Sequence, residues 1–350
     1  MRRPAYPGSP VVVKVGSSSL VHPDGGLNDD AVAAVVGQVE RLRGLGHPPV
    51  LVTSGAVAAG LPALGLSARP KDLPGFQAAA AGGQGRLMER YANEFGERGR
   101  VVGQVLLTRD VLAHRMQYLH AREAFDRLLE LGVVPIVNEN DTVVVDELKL
   151  GDNDRLAAIV SHLVGAGMLV ILTDTTGLYS DDPRLADDAE LLSAVRHTDE
   201  VLDELWQRSS TGLLGSGGVA TKVSAARMAA WSGIPTVIAS ASNPDAVERA
   251  VAGDDVGTWV EPHEARLTAR KLWIAFGLPT RGKLAIDAGA ATAVVGRGSS
   301  LLAAGIIQVD GDFEAGAAIE VVGPDGRFLG KGLVRLGAPE LRTALGQHST

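Results

Sequence analysis

The chain has 350 residues, 45% of them hydrophobic, which is more than one core usually serves, so two domains are expected. It contains no cysteine, which excludes disulfides, thiolate catalysis and zinc-thiolate sites and fits a reducing, cytoplasmic setting. A formal net charge of −8 disfavours non-specific attraction to nucleic acid or anionic membrane, and no apolar run reaches signal-peptide or membrane-spanning length.

Apolar runs rich in Val, Ile and Leu recur at 11 to 15, 50 to 52, 101 to 107, 133 to 137, 168 to 172 and 235 to 239, as expected of strands buried on both faces. Helical patterns alternate with them. In 31 to 43, Ala31, Val32, Val35, Val36, Val39 and Leu42 form one stripe, with Asp29 or Asp30 as cap and Gly44 and Gly46 as stop. Further stripes run through Leu87, Met88, Tyr91 and Phe95, through Phe125, Leu128 and Leu129, and through Leu156, Ile159, Val160 and Leu163. Strands alternating with helices predict an α/β domain with a mainly parallel sheet covered on both faces, over residues 1–275.

Near Pro279 the rhythm changes. Short β-like runs at 284 to 286, 305 to 309, 318 to 322 and 332 to 336, separated by turns such as Asp310-Gly311-Asp312 and Pro324-Asp325-Gly326, predict a small β-rich domain over 280–350. Seven basic and seven acidic side chains balance between 281 and 350, so strong phosphate contact by this domain is not expected.

The chemistry concentrates where strands meet turns. Lys14 ends the first strand beside Gly16-Ser17-Ser18-Ser19, and Lys222 closes Gly215-Ser216-Gly217-Gly218-Val219-Ala220-Thr221-Lys222. Glycine lets backbone N–H groups close around phosphate oxygens, and a lysine at the rim adds a mobile charge. The spacing matches neither GxxxxGK[ST] nor GxGxxG, so another phosphate-binding fold is required. The second strand ends in Thr53-Ser54-Gly55-Ala56, where Ser54 is either a helix N-cap or a hydroxyl lining the sheet edge. The fourth delivers Asn138-Glu139-Asn140-Asp141, followed by Gly151-Asp152-Asn153-Asp154 at the start of a helix. Carboxylates packed so closely repel unless donors or cations sit among them, which suggests a polar pocket. Such a pocket suits an amino acid, with Asp141 on its ammonium and Asn153 on a carboxylate. The fifth strand ends in Thr173-Asp174. Histidines show no metal-ligand spacing, and direct metal ligands are not legible.

The motifs Val12-Val13-Lys14-Val15-Gly16-Ser17-Ser18, Thr53-Ser54-Gly55-Ala56, Asn138 to Asp141, Gly151 to Asp154, Leu172-Thr173-Asp174, Gly177-Leu178-Tyr179 and Gly217 to Lys222 resemble, in order and spacing, those of the glutamate 5-kinases of the amino-acid kinase family. The resemblance spans nearly the whole chain. It implies a three-layer αβα sandwich followed by a PUA domain, here incomplete at its C-terminus. It also implies ATP and Mg²⁺ as cofactors and transfer of a phosphoryl group to L-glutamate, giving γ-glutamyl phosphate for proline synthesis. By the same resemblance Ser54, Asp141 and Asn153 bind glutamate. Lys14, Thr173, Asp174 and the turn Ser216, Gly217, Gly218, Val219, Ala220, Thr221 and Lys222 hold the nucleotide. Lys14, Lys222 and Asp154 form the catalytic set, with Asp154 orienting the two lysines. L-proline as inhibitor, a homo-dimer or homo-tetramer, and γ-glutamyl phosphate reductase as downstream partner are implied too.

A carboxylate is already a nucleophile at neutral pH, so this chemistry needs no general base, only alignment and charge stabilisation. Competing readings are the same fold acting on acetylglutamate or aspartate, an RNA-binding protein working through the second domain, and a regulator that binds without turnover.

Overall fold

The computed structural model describes residues 2–22, 25–143, 152–186, 188–210, 218–264 and 266–345. The chain divides into two compact units, Met1–Thr268 and Ala269–Thr350, so the division falls somewhat before the change of rhythm at Pro279.

In the first unit the strands are β1 (Val11–Val15), β2 (Pro49–Val52), β3 (Val102–Leu107), β4 (Val134–Glu139), β5 (Met168–Thr173), β6 (Ala194–Arg196), β7 (Thr236–Ser240) and β8 (Thr258–Glu261). They form one sheet in the order β3-β4-β2-β1-β5-β7-β8-β6. All neighbours are parallel except β7 and β8. The six runs read as strands in the sequence are all present. Two were missed: β6, at the edge, has three residues with only its middle one buried, and β8, between β7 and β6, has four with only Trp259 and Val260 apolar, so neither leaves an apolar run to detect.

The principal helices are α1 (Asp29–Gly44), α2 (Ala56–Gly60), α3 (Leu73–Gly96), α4 (Arg115–Glu130), α5 (Asp152–Leu163), α6 (Glu200–Ser210), α7 (Gly218–Trp231) and α8 (Ala246–Ala252). They cover both faces of the sheet. The stripe Val32, Val35, Val36, Val39 and Leu42 of α1 is buried with Val11, Val13 and Val15 of β1 in one core cluster, joined by Leu87, Tyr91 and Phe95 of α3. Each such side chain contributes about 1.5–3 kcal/mol on burial. The cap of α1 is Asn28, whose side chain accepts from the Ala31 N–H, and Asp29 and Asp30 fill its first turn. The aspartates thus complement the helix dipole rather than cap it.

Helices α2 and α3 touch through glycine. A Cβ at Gly83 would stand 1.8 Å from the Ala56 carbonyl oxygen, and one at Gly60 would stand 2.0 Å from that of Ala79. Only glycine permits this approach, which sets α3 against the turn that follows β2.

In the second unit β9 (Gly282–Ile286), β10 (Ile306–Gly311), β11 (Ala318–Val322) and β12 (Phe328–Leu333) form a sheet ordered β10-β9-β11-β12, in which β9 and β11 are parallel. Its core is Leu284, Ile286, Ile306, Val309, Phe313, Ile319 and Val321, closed by Ala338 and Leu341 of a helix at Ala338–Ala344. The last strand lies earlier than the apolar run at 332 to 336, because its register against β11 pairs Ala318 with Leu333 and Val322 with Phe328.

Candidate active site

Strand β1 lies between β2 and β5, where the order of strands in the sheet reverses, and its carboxyl end is the place such sheets reserve for ligands. Lys14 is on β1, only 3% exposed, and pairs in register with Val52 of β2 and Ile171 of β5. A Cβ on Gly16 would come within 3.2 Å of its Nζ, so glycine there leaves room for the ammonium.

Asp154, in the first turn of α5, is fully buried. Its Oδ1 lies 2.6 Å from Lys14 Nζ and its Oδ2 lies 3.5 Å from Lys222 Nζ. Thr221 Oγ1 also donates to Oδ2, at 2.8 Å. Burial pushes the Asp154 carboxyl up, but Lys14 and then Lys222, with the hydrogen bonds from Lys14 and Thr221, hold it below the usual carboxylate range. Burial is also the main influence on Lys14, lowering it from the ordinary lysine value, and Lys222 adds to that fall while Asp154 opposes it. In formal charge, two ammonium groups against one carboxylate leave a surplus positive charge in a nearly dry site. An anion is the fitting occupant.

Lys222 and Thr221 belong to the first turns of α7, which opens at Gly218. Lys222 Nζ donates to the Gly218 carbonyl at 3.2 Å and Thr221 Oγ1 lies 3.1 Å from the same oxygen. The start of this 14-residue helix therefore places the positive end of its dipole beside the lysines. Val219 and Ala220 lie in that first turn, whereas Ser216 and Gly217, read as part of the same turn, fall outside the described residues.

At the end of β5, beside β1, the buried Thr173 donates to Asp174 Oδ1 at 3.0 Å. Asp174 is also close enough to raise the affinity of Arg184 for its proton, although the Asp182 carboxylate has the larger influence on that guanidinium.

A second cluster adjoins the lysines on the β2 and β4 side. Asn153, the neighbour of Asp154 on α5, directs its amide nitrogen at the Thr53 carbonyl (2.8 Å), Ser54 Oγ (2.9 Å) and Asn138 Oδ1 (2.9 Å). Ser54 is therefore not a helix cap: α2 starts after Gly55, which is left-handed at φ 105°, with no side-chain cap. The hydroxyl is turned to Asn153 instead. Since the amide hydrogens of Asn153 are spent on protein, the free group is Oδ1, which is buried without a hydrogen-bond partner among the described residues. Oδ1 is an acceptor, and in this orientation it suits a donor such as an ammonium rather than the carboxylate expected from the sequence.

Asp141 stands in the short turn after β4 (Asp141–Val143), where its charge is felt by the Arg69 guanidinium stacked on Phe76, 4.8 Å from the ring centre. Asn138, quoted in the motif but given no role, turns out to join β4 to Asn153. Gln84 of α3, which donated no motif at all, accepts from Asn138 Nδ2 at 2.8 Å. Nothing in the local sequence could reveal it, because it sits on a helix 54 positions from its partner.

Among the described residues no group of three or more acidic or imidazole side chains could hold a metal ion by itself.

The model of the amino acid kinase family matches residues 9–240, and with them the whole lysine–aspartate site. The chain belongs to the amino acid kinase family. A PUA domain model matches 282–350. Among relatives of this family member, a protein named glutamate 5-kinase from Frankia casuarinae is 51% identical across 96% of this chain and 89% of its own length. Another of that name from Geobacter sulfurreducens is 44% identical across 97% of this chain and 91% of its own. The UMP kinase structure from Bacillus anthracis shares the fold, with a TM-score of 0.50 at 14% identity, covering 73% of this chain and 97% of that one. No described helix is long and apolar enough to cross a membrane.

Proposed function

We propose that the chain transfers the γ-phosphoryl group of MgATP to the γ-carboxylate of L-glutamate, releasing ADP and γ-glutamyl phosphate, the first step of proline synthesis. The observation that carries this reading is the buried Asp154 between Lys14 and Lys222, at 2.6 and 3.5 Å. Full-length relatives named glutamate 5-kinase support the choice of acceptor.

A γ-carboxylate oxygen forms the new bond to the γ-phosphorus, and the bond from that phosphorus to the bridging oxygen of ADP breaks. Donor and acceptor are both anions. Lys14 and Lys222 offset their repulsion, and Asp154 fixes both ammonium groups so that neither must reorganise as charge spreads over the transferring group. The start of α7, from Gly218 to Lys222, holds the phosphates, and Thr173 with Asp174 binds the nucleotide at the end of β5. Magnesium, when bound with ATP, supplies further neutralisation of the phosphates. Ser54, Asp141 and Asn153 hold the amino acid, its ammonium between Asp141 and the Asn153 acceptor. L-Proline, which also carries a cationic nitrogen and an α-carboxylate, inhibits at an overlapping site. A homo-oligomer and a γ-glutamyl phosphate reductase that consumes the product complete this reading.

The test is ADP release with L-glutamate, N-acetylglutamate and L-aspartate compared. L-glutamate should exceed N-acetylglutamate by at least about 100-fold in kcat/KM, because a site built around a buried ammonium partner loses it when the nitrogen is acylated, and L-aspartate by about 10–200-fold, because its side-chain carboxylate stops one methylene short of the lysines. Turnover of acetylglutamate or aspartate at the rate of glutamate overturns the assignment.

A further inference from the structure

The amide orientations in the second cluster are fixed from both ends by backbone groups. The Thr53 carbonyl can only accept, so the group of Asn153 that meets it is the NH₂. That NH₂ also meets Asn138 Oδ1, which accepts from the Glu139 backbone N–H at 2.9 Å, a group that can only donate. Asn138 must then offer its own NH₂ to Gln84, and Gln84 must receive it with Oε1. One atom is left over at each end of the relay. Asn153 Oδ1 is an acceptor and Gln84 Nε2 is a donor, and both are buried without a hydrogen-bond partner among the described residues.

Leaving a buried amide atom unsatisfied is costly, so two of them in one network point to a ligand that satisfies both. The ligand must bring a donor to Asn153 and an acceptor to Gln84. An α-amino acid does so with its ammonium and its carboxylate. Strand order decides which carboxylate. Asn138 is on β4, two strands from β1 and its Lys14, a distance of about 10 Å at the usual strand spacing. The γ-carboxylate must lie by Lys14 to react, so the group left beside Gln84 is the α-carboxylate. We infer that Gln84 is a substrate-positioning residue whose Nε2 donates to the α-carboxylate of the amino acid acceptor, an inference resting on the glutamate reading above.

The decisive variant is Gln84→Glu. It keeps an oxygen to accept from Asn138 but replaces the leftover donor by an anion, so a residue that merely supports Asn138 would tolerate it. The expected result is an L-glutamate KM raised about 10–100-fold, the range of a lost charge-assisted hydrogen bond, with ATP KM unchanged and kcat within a few-fold. Gln84→Leu, which removes both amide atoms, should raise glutamate KM as well. 4-Aminobutyrate lacks the α-carboxylate, and as a competitor of glutamate it should have the same inhibition constant in parent and Gln84→Glu. A wild-type glutamate KM in Gln84→Glu overturns the inference, as does an equal loss of affinity for 4-aminobutyrate. If the parent enzyme itself fails to phosphorylate glutamate, the proposed function fails, not the role of Gln84 alone.

Discussion

Replacing Asp154 by Asn removes one charge and almost no volume, and leaves Lys14 as a cation in a site where it is 3% exposed. At an effective dielectric near 20, separations of 2.6 and 3.5 Å correspond to about 6 and about 5 kcal/mol of attraction to the two ammonium groups, much of it cancelled by desolvation. Losing one partner of a buried pair costs about 3–5 kcal/mol net. Deprotonation of Lys14 caps that cost: an unfolded lysine titrates near 10.4, so uncharging it at pH 7 takes about 4.6 kcal/mol. Lys14 is already lowered by burial, and without Asp154 its folded value falls further below the unfolded one. Such a group destabilises most at low pH, and its penalty shrinks as pH rises towards the unfolded value. The expected deficit of Asp154→Asn is thus about 3–5 kcal/mol at pH 7, or about 6–20 °C in Tm, and about 1 kcal/mol at pH 9.5. The assay is thermal unfolding of both proteins across that range, with kcat measured alongside and expected to fall about 100- to 1000-fold. Lys14→Met combined with Asp154→Asn should recover stability but not turnover, since it removes the stranded cation. A deficit that grows with pH, or a double variant no more stable than Asp154→Asn, would refute the reasoning.

Lys222→Ala should lower kcat about 100- to 1000-fold while glutamate KM moves little, because its charge matters most when the phosphoryl group is between donor and acceptor; steady-state kinetics with both substrates varied checks this, and near-normal turnover removes the role. Asn153→Ala should raise glutamate KM about 10–100-fold and weaken inhibition by proline in parallel, with ATP KM unchanged; overlaid saturation curves would place the amino acid elsewhere. Gly83→Ala, whose new methyl would meet the Ala56 carbonyl oxygen at 1.8 Å, should cost at least about 1–3 kcal/mol by chemical denaturation and raise glutamate KM by displacing the turn that carries Ser54. A chain ending at about residue 280 retains every proposed site residue and should still phosphorylate glutamate, with any change confined to solution mass or the proline response; a folded but inactive truncation would assign chemistry to the second unit.

Much of this molecule is legible in its residues because its strands are buried on both faces. Runs such as Val11 to Val13 and Leu169 to Leu172 are apolar without alternation, and each ends in the small or charged residues that a sheet edge requires, so six strands and the lysine, serine, asparagine and threonine at their ends follow from local composition. The short strands β6 and β8 did not, because β6 at the sheet edge is only partly buried and β8, though buried, has only two apolar residues in Thr258–Glu261, and the last strand was displaced because pairing with β11, not local hydropathy, sets its register. Sequence order likewise placed Asn153 and Asp154 side by side without saying that their side chains join different clusters. That division exists because consecutive residues on α5 diverge around the helix, one towards Thr53, Ser54 and Asn138 and the other towards Lys14 and Lys222. The direction in which each amide donates, the left-handed turn that withdrew Ser54 from capping, and the arrival of Gln84 from α3 are all long-range facts. Residue type decided which hydrogen bonds were available; only the packing of α3 and α5 against the ends of β2 and β4 decided which of them the protein keeps for itself and which atoms it leaves for a ligand.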